Sequence, residues 1–263
     1  MRGRRVWLLS VSLADLLFLY LPIGVLILFS FNASRLSATW QGFTFQWYRA
    51  LAADEALMAS LQNSLLVASV STMIATVLGM SAAVSLERFP FRRQPVVEGA
   101  LLLPLVMPEV MMGVALMLFF VTIKLPLSLV TVTLGHAAFN LPVVMVMVRA
   151  RLRKLDPGLE EAARDLGATP WQAFQRVTLP LLMPAMIGAA LMAFTISFDD
   201  FIVTFFTAGP GSTTLPLRVY SMVRSGVSPV INALSAMLVA ISIALITLAL
   251  TLQGGFQTHR GFK

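Results

Sequence analysis

Residues Arg149 to Thr178 read RARLRKLDPGLEEAARDLGATPWQAFQRVT and lie between two long apolar runs. The segment holds six of the nineteen basic residues and four of the twelve acidic residues of the chain. A charged island of this kind, in a chain otherwise built for lipid, is where the protein is expected to meet a soluble partner.

The island has the pattern of two short helices. Asp156-Pro157 is typical of a helix start, and the acidic residues that follow favour the N-terminal end of a helix. Gly167 interrupts this helix, and Thr169-Pro170 begins the next one. The pattern therefore predicts a helix pair joined by a glycine turn. The competing interpretation is a solvated amphipathic linker.

The composition around this island is that of a membrane protein. The mean hydropathy is +0.85, with 58% hydrophobic and only 12% charged residues, which is outside the range of soluble globular domains. A helix of roughly 20 apolar residues crosses the hydrocarbon core of a bilayer. The chain has no cysteine, which excludes disulfides, thiolate metal sites and cysteine nucleophiles.

Six apolar runs qualify as membrane spans, so we expect an all-α polytopic membrane protein with a single transmembrane domain over residues 1–263. The first run is too long for the apolar region of a signal peptide. The predicted spans are residues 8–31, 61–86, 99–123, 128–148, 181–206 and 230–252, with the loop 149–178 between the fourth and the fifth.

The distribution of positive charge predicts the orientation of these spans. With both termini in the cytoplasm, fourteen of the nineteen basic residues fall on the inner side, including Arg260 and Lys263 of the tail, and five, including Arg35, fall outside. This is the asymmetry of the positive-inside rule. It accounts for the net charge of +7 without nucleic-acid binding, and it puts the 149–178 loop inside.

Acidic residues within the predicted spans are the candidates for a transport pathway, because charges in a bilayer are costly and are usually functional. Glu109 lies about ten residues, or roughly 15 Å, into the third span. Pro104 and Pro108 disrupt the helix beside it, which is tolerated where the backbone lines a cavity. The alternative for Glu109 is a protonated acid that is hydrogen-bonded to a neighbouring helix.

Asp199 and Asp200 lie near the outer end of the fifth span. Neighbouring helical residues point about 100° apart, so we expect one of them to face a passing cation and the other to cap or pair locally. The alternative is an interfacial pair of solvated acids. No Lys or Arg lies in the middle of a span, and this favours a cation as the transported solute.

Enzyme and cofactor patterns are weak. His136 and His259 do not form an H-E-x-x-H motif, and the run GPGSTT at Gly209 lacks the G-K-[ST] ending of a P-loop. We therefore expect a non-catalytic chain without a metal or cofactor of its own.

The central loop resembles the EAA motif of bacterial ABC importer permeases. The matching residues are Glu161-Ala162-Ala163, Gly167, Val177 and Leu179-Pro180, with Val177 in place of the usual Ile. The resemblance implies the type I ABC importer (MetI-like) permease fold with six transmembrane helices and cytoplasmic coupling helices. It implies that Glu161, Ala162, Ala163 and Gly167 couple the permease to a nucleotide-binding subunit.

The similarity extends over nearly the whole chain to the spermidine/putrescine permeases, in particular to the second permease subunit of that system. The runs that carry it are FNAS, GFTFQWY, DLGATP and SFDDFIVTFFTAGPGSTTLP. The resemblance implies that Trp47, Glu109 and Asp199 lie on or near the polyamine path, and Tyr48 and Asp200 are candidates beside them. Spaced ammonium groups are recognised by carboxylates and aromatic faces.

The partners implied are a second permease subunit, a dimeric ABC ATPase that holds ATP-Mg, and a periplasmic or extracellular substrate-binding protein, all at a bacterial inner membrane. One alternative is import of another solute such as ferric iron, thiamine or an organic amine. Others are an ion-coupled secondary transporter or a channel, and a membrane enzyme ranks last.

Overall fold

In a computed structural model, residues 2–34, 39–226 and 229–257 are described, and they form helices with one isolated antiparallel bridge between Asn32 and Phe43. The tail residues His259, Arg260 and Lys263, and Arg35 of the first loop, lie outside the described residues. The α-helices are α1 Arg2–Phe29, α2 Gln46–Ala53, α3 Glu55–Arg88, α4 Gln94–Val106, α5 Glu109–Thr122, α6 Leu129–Leu152, α7 Gly158–Asp165, α8 Pro170–Ala173, α9 Leu179–Asp199, α10 Ile202–Thr207, α11 Leu215–Ser225 and α12 Pro229–Gln257.

Four of these helices are long and apolar enough to cross a membrane: the Ser10–Phe29 part of α1, α3, α6, and a continuous helix from Pro170 to Asp199. The helices α4 and α5 together meet the same criterion as one bent span. In α12, the Pro229–Ala244 part is apolar. The all-helical prediction is confirmed for the described residues. By length and composition these residues hold four candidate spans, or five with the bent pair, against the six spans predicted from the sequence.

The chain divides into two compact units, residues 1–58 with 219–263 and residues 59–218. In the first unit, α12 packs against α1 and α2. The link from α1 to α2 is built around the buried Asn32, whose carboxamide accepts from the Gln41 amide at 2.9 Å and donates to the Thr39 carbonyl at 2.7 Å. The helix α2 then begins at Gln46.

The second unit is arranged around α6, the most buried of the long helices. Its core side chains, among them Val144 and Val148, pack with Ala75 and Ala83 of α3 and with Leu182 and Ala189 of α9. Small residues let helix backbones approach closely in a membrane protein. Many large apolar side chains remain exposed on the outer faces of the helices.

The third predicted span is broken. Its two helices, α4 and α5, meet at an angle of 112°. Pro104 is accommodated inside α4, whereas Pro108 precedes the first residue of α5 and is extended at φ −58°, ψ 134°. Because proline offers no amide hydrogen and its ring excludes a helical predecessor, the break falls at Met107-Pro108.

The charged island folds as the sequence predicts at its start and at its turn. The Asp156 carboxylate accepts from the Gly158 amide at 2.9 Å at the start of α7. Gly167 follows α7 at φ +89°, a conformation that glycine adopts without strain. Thr169 then forms a capping box with Gln172.

The second helix of the island, however, is not separate from the fifth span. After α8 the backbone continues through a π-helical segment, Phe174–Thr178, into α9. Such π segments are rare and are often found at functional sites. The fifth span therefore begins at Pro170 rather than at residue 181.

Other boundaries also differ from the sequence prediction. The second span begins at Glu55 rather than at residue 61. The fifth is predicted to reach residue 206, but α9 ends at Asp199 and α10 follows after a break. The stretch 207–229, which lies between the predicted fifth and sixth spans, contains the 11-residue helix α11.

The loop after α10 meets the turn before α6 at Gly209. A Cβ built at Gly209 lies 1.8 Å from the Leu127 carbonyl oxygen, which is backbone and cannot move aside easily, whereas a Cβ at Gly188 in α9 meets nothing within 4 Å. We expect Gly209→Ala to destabilise the protein by about 1–3 kcal/mol, the range for overpacking. Thermal unfolding of the detergent-solubilised protein measures the effect, with Gly188→Ala as the control. Equal melting temperatures for the two variants would contradict the close approach.

Candidate functional site

The candidate pathway acids lie where helices break. Glu109 is the first residue of α5, directly after the Pro108 break, and its side chain is exposed. Acidic residues are common at a helix N-terminus, which carries a partial positive charge. The depth of Glu109 in the third span is predicted for a straight helix. That prediction does not apply, because the span turns through 112° beside this residue.

Asp199 and Asp200 occupy the second break, between α9 and α10, and their environments differ. The Asp199 side chain is exposed at the last residue of α9. The Asp200 side chain is only 8% exposed. Its Oδ2 atom accepts from the Thr204 amide at 2.8 Å and from the Thr204 hydroxyl at 2.9 Å. The predicted division of roles therefore has a structural counterpart, with Asp199 facing outward and Asp200 turned into the protein.

A buried histidine completes the environment of Asp200. His136 of α6 is 1% exposed, and its Nε2 atom lies 3.2 Å from Asp200 Oδ2 and 2.8 Å from the Thr204 hydroxyl. Its Nδ1 atom lies 2.6 Å from the Ser197 hydroxyl, which is in turn 3.0 Å from the Ser71 hydroxyl of α3. Three long helices are thus joined by side-chain hydrogen bonds around one ring.

In the sequence, His136 is considered only as a metal-motif candidate, and its partners in this network are not identified. The signal that could have found it is the spacing of Ser197, Asp200 and Thr204. Residues three and four apart share one face of a helix, and a polar face in an apolar span requires polar partners on a neighbouring helix.

Ser197, His136 and Asp200 have the composition of a hydrolase triad, but the site does not have the access that catalysis needs. Ser197 is 4% exposed, and its hydroxyl is shared between His136 and Ser71. A nucleophile must reach its substrate within hydrogen-bonding distance of the base. The arrangement is therefore a buried hydrogen-bond network.

The two breaks lie on elements that pack together. The helix α5 packs against α10, and a Cβ built at Gly113 lies 2.7 Å from the Phe206 ring. Glu109 begins one of these helices, and Asp199 comes three residues before the other. Both acids are exposed.

The aromatic candidates belong to the first unit. The Trp47 indole nitrogen donates to the Asn32 carbonyl at 2.7 Å, and the Tyr48 hydroxyl is 2.7 Å from the Ser30 hydroxyl. The Tyr48 ring packs with Phe31 and Phe45. Both side chains are held at one end and are partly exposed, as an aromatic face that receives a ligand requires.

In the central loop, the residue that anchors α7 is Glu160 rather than a residue of the EAA motif. The Glu160 carboxylate forms an ion pair with Arg88 at the end of α3 and accepts from the Thr178 hydroxyl at 2.9 Å. Burial alone would raise the pKa of Glu160, but the hydrogen bonds from Arg88 and Thr178 outweigh it and the pKa is lowered. Three segments of the chain therefore meet at this carboxylate.

The motif residues themselves face outward. Glu161 and Ala162 are exposed, and Gly167 ends the helix. Around them stand large exposed apolar side chains, with Leu166 at 90% exposure and Trp171 at 64%. Beside this surface lies a cavity of about 1030 Å³ between α7, α8 and the ends of α3 and α6. Exposed apolar side chains on a charged loop are typical of a protein–protein contact.

Comparison with known proteins gives the family. Residues 75–259 match the family described as binding-protein-dependent transport system inner membrane component. The chain belongs to this family. It is therefore an inner-membrane transport component with several membrane-spanning helices.

Curated relatives are similar over most of their length. The chain is 42% identical over 242 residues to the putrescine transport system permease protein PotI of Escherichia coli (strain K12), covering 89% of this chain and 86% of that protein. It is 40% identical over 229 residues to the spermidine/putrescine transport system permease protein PotC of the same strain, covering 87% of each.

The fold has a solved counterpart. The chain superimposes with a TM-score of 0.70 on a chain of a bacterial ABC transporter involved in the import of the acidic polysaccharide alginate, at 17% identity, covering 97% of this chain and 98% of that one. At that identity the likeness shows the fold alone, and it confirms the predicted type I ABC importer permease fold.

The anchoring role of Glu160 predicts local loosening on neutralisation. We expect Glu160→Gln to speed amide exchange in α7 about tenfold at neutral pH, because a hydrogen bond to a charged group contributes about 1.5–3 kcal/mol. The lowered pKa means that the carboxylate contributes stability above the ordinary value of 4.5 and that this stability is lost as the pH falls below it.

The control is Glu161→Gln, which removes the same charge from the exposed neighbour and should leave exchange unchanged. Hydrogen exchange with mass spectrometry follows the peptide that contains Gly158–Asp165. Equal exchange in the two variants at neutral pH would show that Glu160 does not anchor the helix.

Proposed function

We propose that this chain is one of the two permease subunits of an ATP-driven importer for polyamines such as putrescine and spermidine. It forms a single transmembrane domain of six spans and supplies half of the translocation pathway. Both termini and the 149–178 loop face the cytoplasm. A loaded binding protein delivers the solute from the opposite side.

The observation that carries the substrate class is the pair of exposed carboxylates, Glu109 and Asp199, at two helix breaks on packed elements. A polyamine presents ammonium groups separated by short alkyl segments, and carboxylates and aromatic faces are the groups that recognise such cations. The names of the relatives PotI and PotC support the same class. Trp47 and Tyr48 supply the aromatic faces, and Asp200 supports Asp199.

The surface of the central loop supports an ATPase partner. Glu161, Ala162, Ala163 and Gly167 fit the coupling role, because the apolar side chains beside them are exposed in this chain and need cover. Glu160 ties this surface to α3 and to the segment that leads into α9. ATP-driven closure of the partner would thereby move the helices that carry Asp199. ATP and Mg²⁺ bind to that partner and not to this chain.

Import of ferric iron, thiamine or another amine is the alternative within the same class of transporter. It predicts that these solutes, rather than polyamines, stimulate uptake by the complete transporter. A carrier or channel that works alone predicts transport by the purified chain without an ATPase. Uptake by vesicles that contain the whole transporter, with each solute tested in turn, separates the alternatives.

The coupling proposal predicts the effect of reversing one exposed charge. We expect Glu161→Lys to reduce ATP-dependent uptake about tenfold or more and to weaken co-purification of the ATPase, because an unpaired like charge at a contact costs several kcal/mol. The matched control, Glu55→Lys, makes the same change at an exposed residue outside the loop. Normal uptake and normal ATPase assembly in Glu161→Lys would rule the coupling role out.

The substrate proposal predicts the effect of neutralising the pathway acids. We expect Glu109→Gln and Asp199→Asn each to raise the KM for polyamine uptake about tenfold, because a charge-assisted hydrogen bond contributes about 1.5–3 kcal/mol. Asp15→Asn, an exposed acid within α1, is the control and should keep the parental KM. An unchanged KM in both pathway variants would remove these residues from the polyamine path.

A further inference from the structure

The proposed pathway leaves one acid without a role. Asp200 is next to Asp199 in sequence, but its side chain is buried and already accepts hydrogen bonds from Thr204 and His136. A passing cation would have to displace donors that are fixed in the protein interior. The position of this carboxylate is therefore better suited to organising the break than to contacting the solute.

We propose that Asp200 and His136 are positioning residues, which hold the α9–α10 break in the geometry that presents Asp199 to the solute. This inference deepens the proposed function and rests on it for the role of Asp199. It gives Asp200 a role distinct from solute binding, and it adds His136, a residue of a different helix, to the functional set.

The backbone at the break depends on the Asp200 side chain. Helix α9 ends at Asp199, Asp200 is extended at φ −65°, ψ 127°, and α10 begins at Ile202. The first amides of a helix have no partner within it, and in an apolar environment such groups must be satisfied by the protein. Asp200 Oδ2 accepts from the Thr204 amide at 2.8 Å, and Oδ1 lies 3.4 Å from the Val203 amide.

His136 connects the two sides of the break. Its Nδ1 atom contacts Ser197, in the last turn of α9, and its Nε2 atom contacts Asp200 and Thr204, which lie after that helix ends. A single planar ring therefore fixes the distance between the end of α9 and the start of α10. Because the ring belongs to the buried helix α6, the break is also held against the centre of the unit.

The hydrogen bonds fix the protonation of one ring nitrogen. The Thr204 hydroxyl donates to Asp200 Oδ2 at 2.9 Å, so its single proton is not available to the imidazole. His136 Nε2, at 2.8 Å from that hydroxyl oxygen, must then carry a proton and act as the donor. A glutamine also carries a donor and an acceptor, but on a flexible side chain, so it does not hold Ser197 and Asp200 at the separation that the planar imidazole sets.

The direction of Asp199 follows from that of Asp200. Neighbouring side chains at the end of a helix point in well-separated directions. With Asp200 held inward by His136 and Thr204, Asp199 points away and is exposed. When the bridge is lost, the break can rotate, and the two carboxylates lose their fixed inward and outward positions.

The absence of cysteine from the chain makes the orientation of Asp199 measurable. We take the complete transporter in membrane vesicles, introduce Asp199→Cys, and measure the rate of modification by aminoethyl methanethiosulfonate as the mass shift of this chain. We expect rapid modification in the parental background. With His136→Gln or Ser197→Ala added, we expect a rate about tenfold lower. Losing a buried hydrogen bond in a network with a charged partner is enough to lower the population in which residue 199 is exposed by about that factor.

The control is Thr195→Cys, an exposed position on the same helix whose hydroxyl contacts only its own backbone. Its modification rate should be the same with and without His136→Gln, and this shows that the variant still folds. A rate at Asp199→Cys that stays the same or rises in both backgrounds overturns the proposal. So does an unreactive Asp199→Cys in the parental background.

Uptake kinetics add a second readout. Because His136 and Asp200 act through Asp199, we expect His136→Gln and Asp200→Asn to raise the KM for polyamine, and to have no further effect on KM when Asp199→Asn is present. A merely structural role lowers the maximal rate alone, and that result overturns the proposal. The modification rates do not depend on which solute is carried, so a failure of the polyamine assignment is distinguishable from a failure of the positioning role.

Discussion

A helix that breaks within an apolar bundle leaves backbone amides and carbonyls that lipid cannot satisfy, and this constraint governs the structure of the second unit. The chain breaks in this way at Met107-Pro108 and at Asp200-Phe201. At the first break, proline removes the donor that would have been left unpaired. At the second, the Asp200 carboxylate supplies the acceptor and His136 holds it in place. An exposed acid lies beside each break, Glu109 at the first and Asp199 at the second. The helix is therefore interrupted next to a carboxylate that a cation could contact.

The sequence predicts the helical class, because apolar runs of about 20 residues are typical of helices that cross a bilayer. It also predicts the start of α7 and the glycine turn at Gly167, since capping residues act locally. The extent of α9 is not predicted. Whether Phe174–Thr178 continues as helix or ends as loop depends on contacts such as that between Thr178 and Glu160, which join residues distant in sequence.

The candidate site divides in the same way. A carboxylate in an apolar run is visible in the sequence, and Glu109, Asp199 and Asp200 are found for that reason. The direction of each side chain is not visible, because it depends on partners from other helices. The pairing of Asp200 with His136 joins residues of α9–α10 and α6, and that of Glu160 with Arg88 joins α7 and α3. The EAA motif indicates Glu161 as the functional residue. In the structure, the contact that anchors α7 is made by its neighbour Glu160.

The helix from Pro170 to Asp199 connects these two regions. Its 30 residues span roughly 45 Å at 1.5 Å per residue. One end carries the exposed Trp171 beside the glycine turn, and the other ends at Asp199 beside the buried histidine bridge. The helix α9 packs along α6, the helix that carries His136. In the proposed importer, a displacement of the loop would therefore act on the Asp199 break through a helix that the His136 bridge ties to α6.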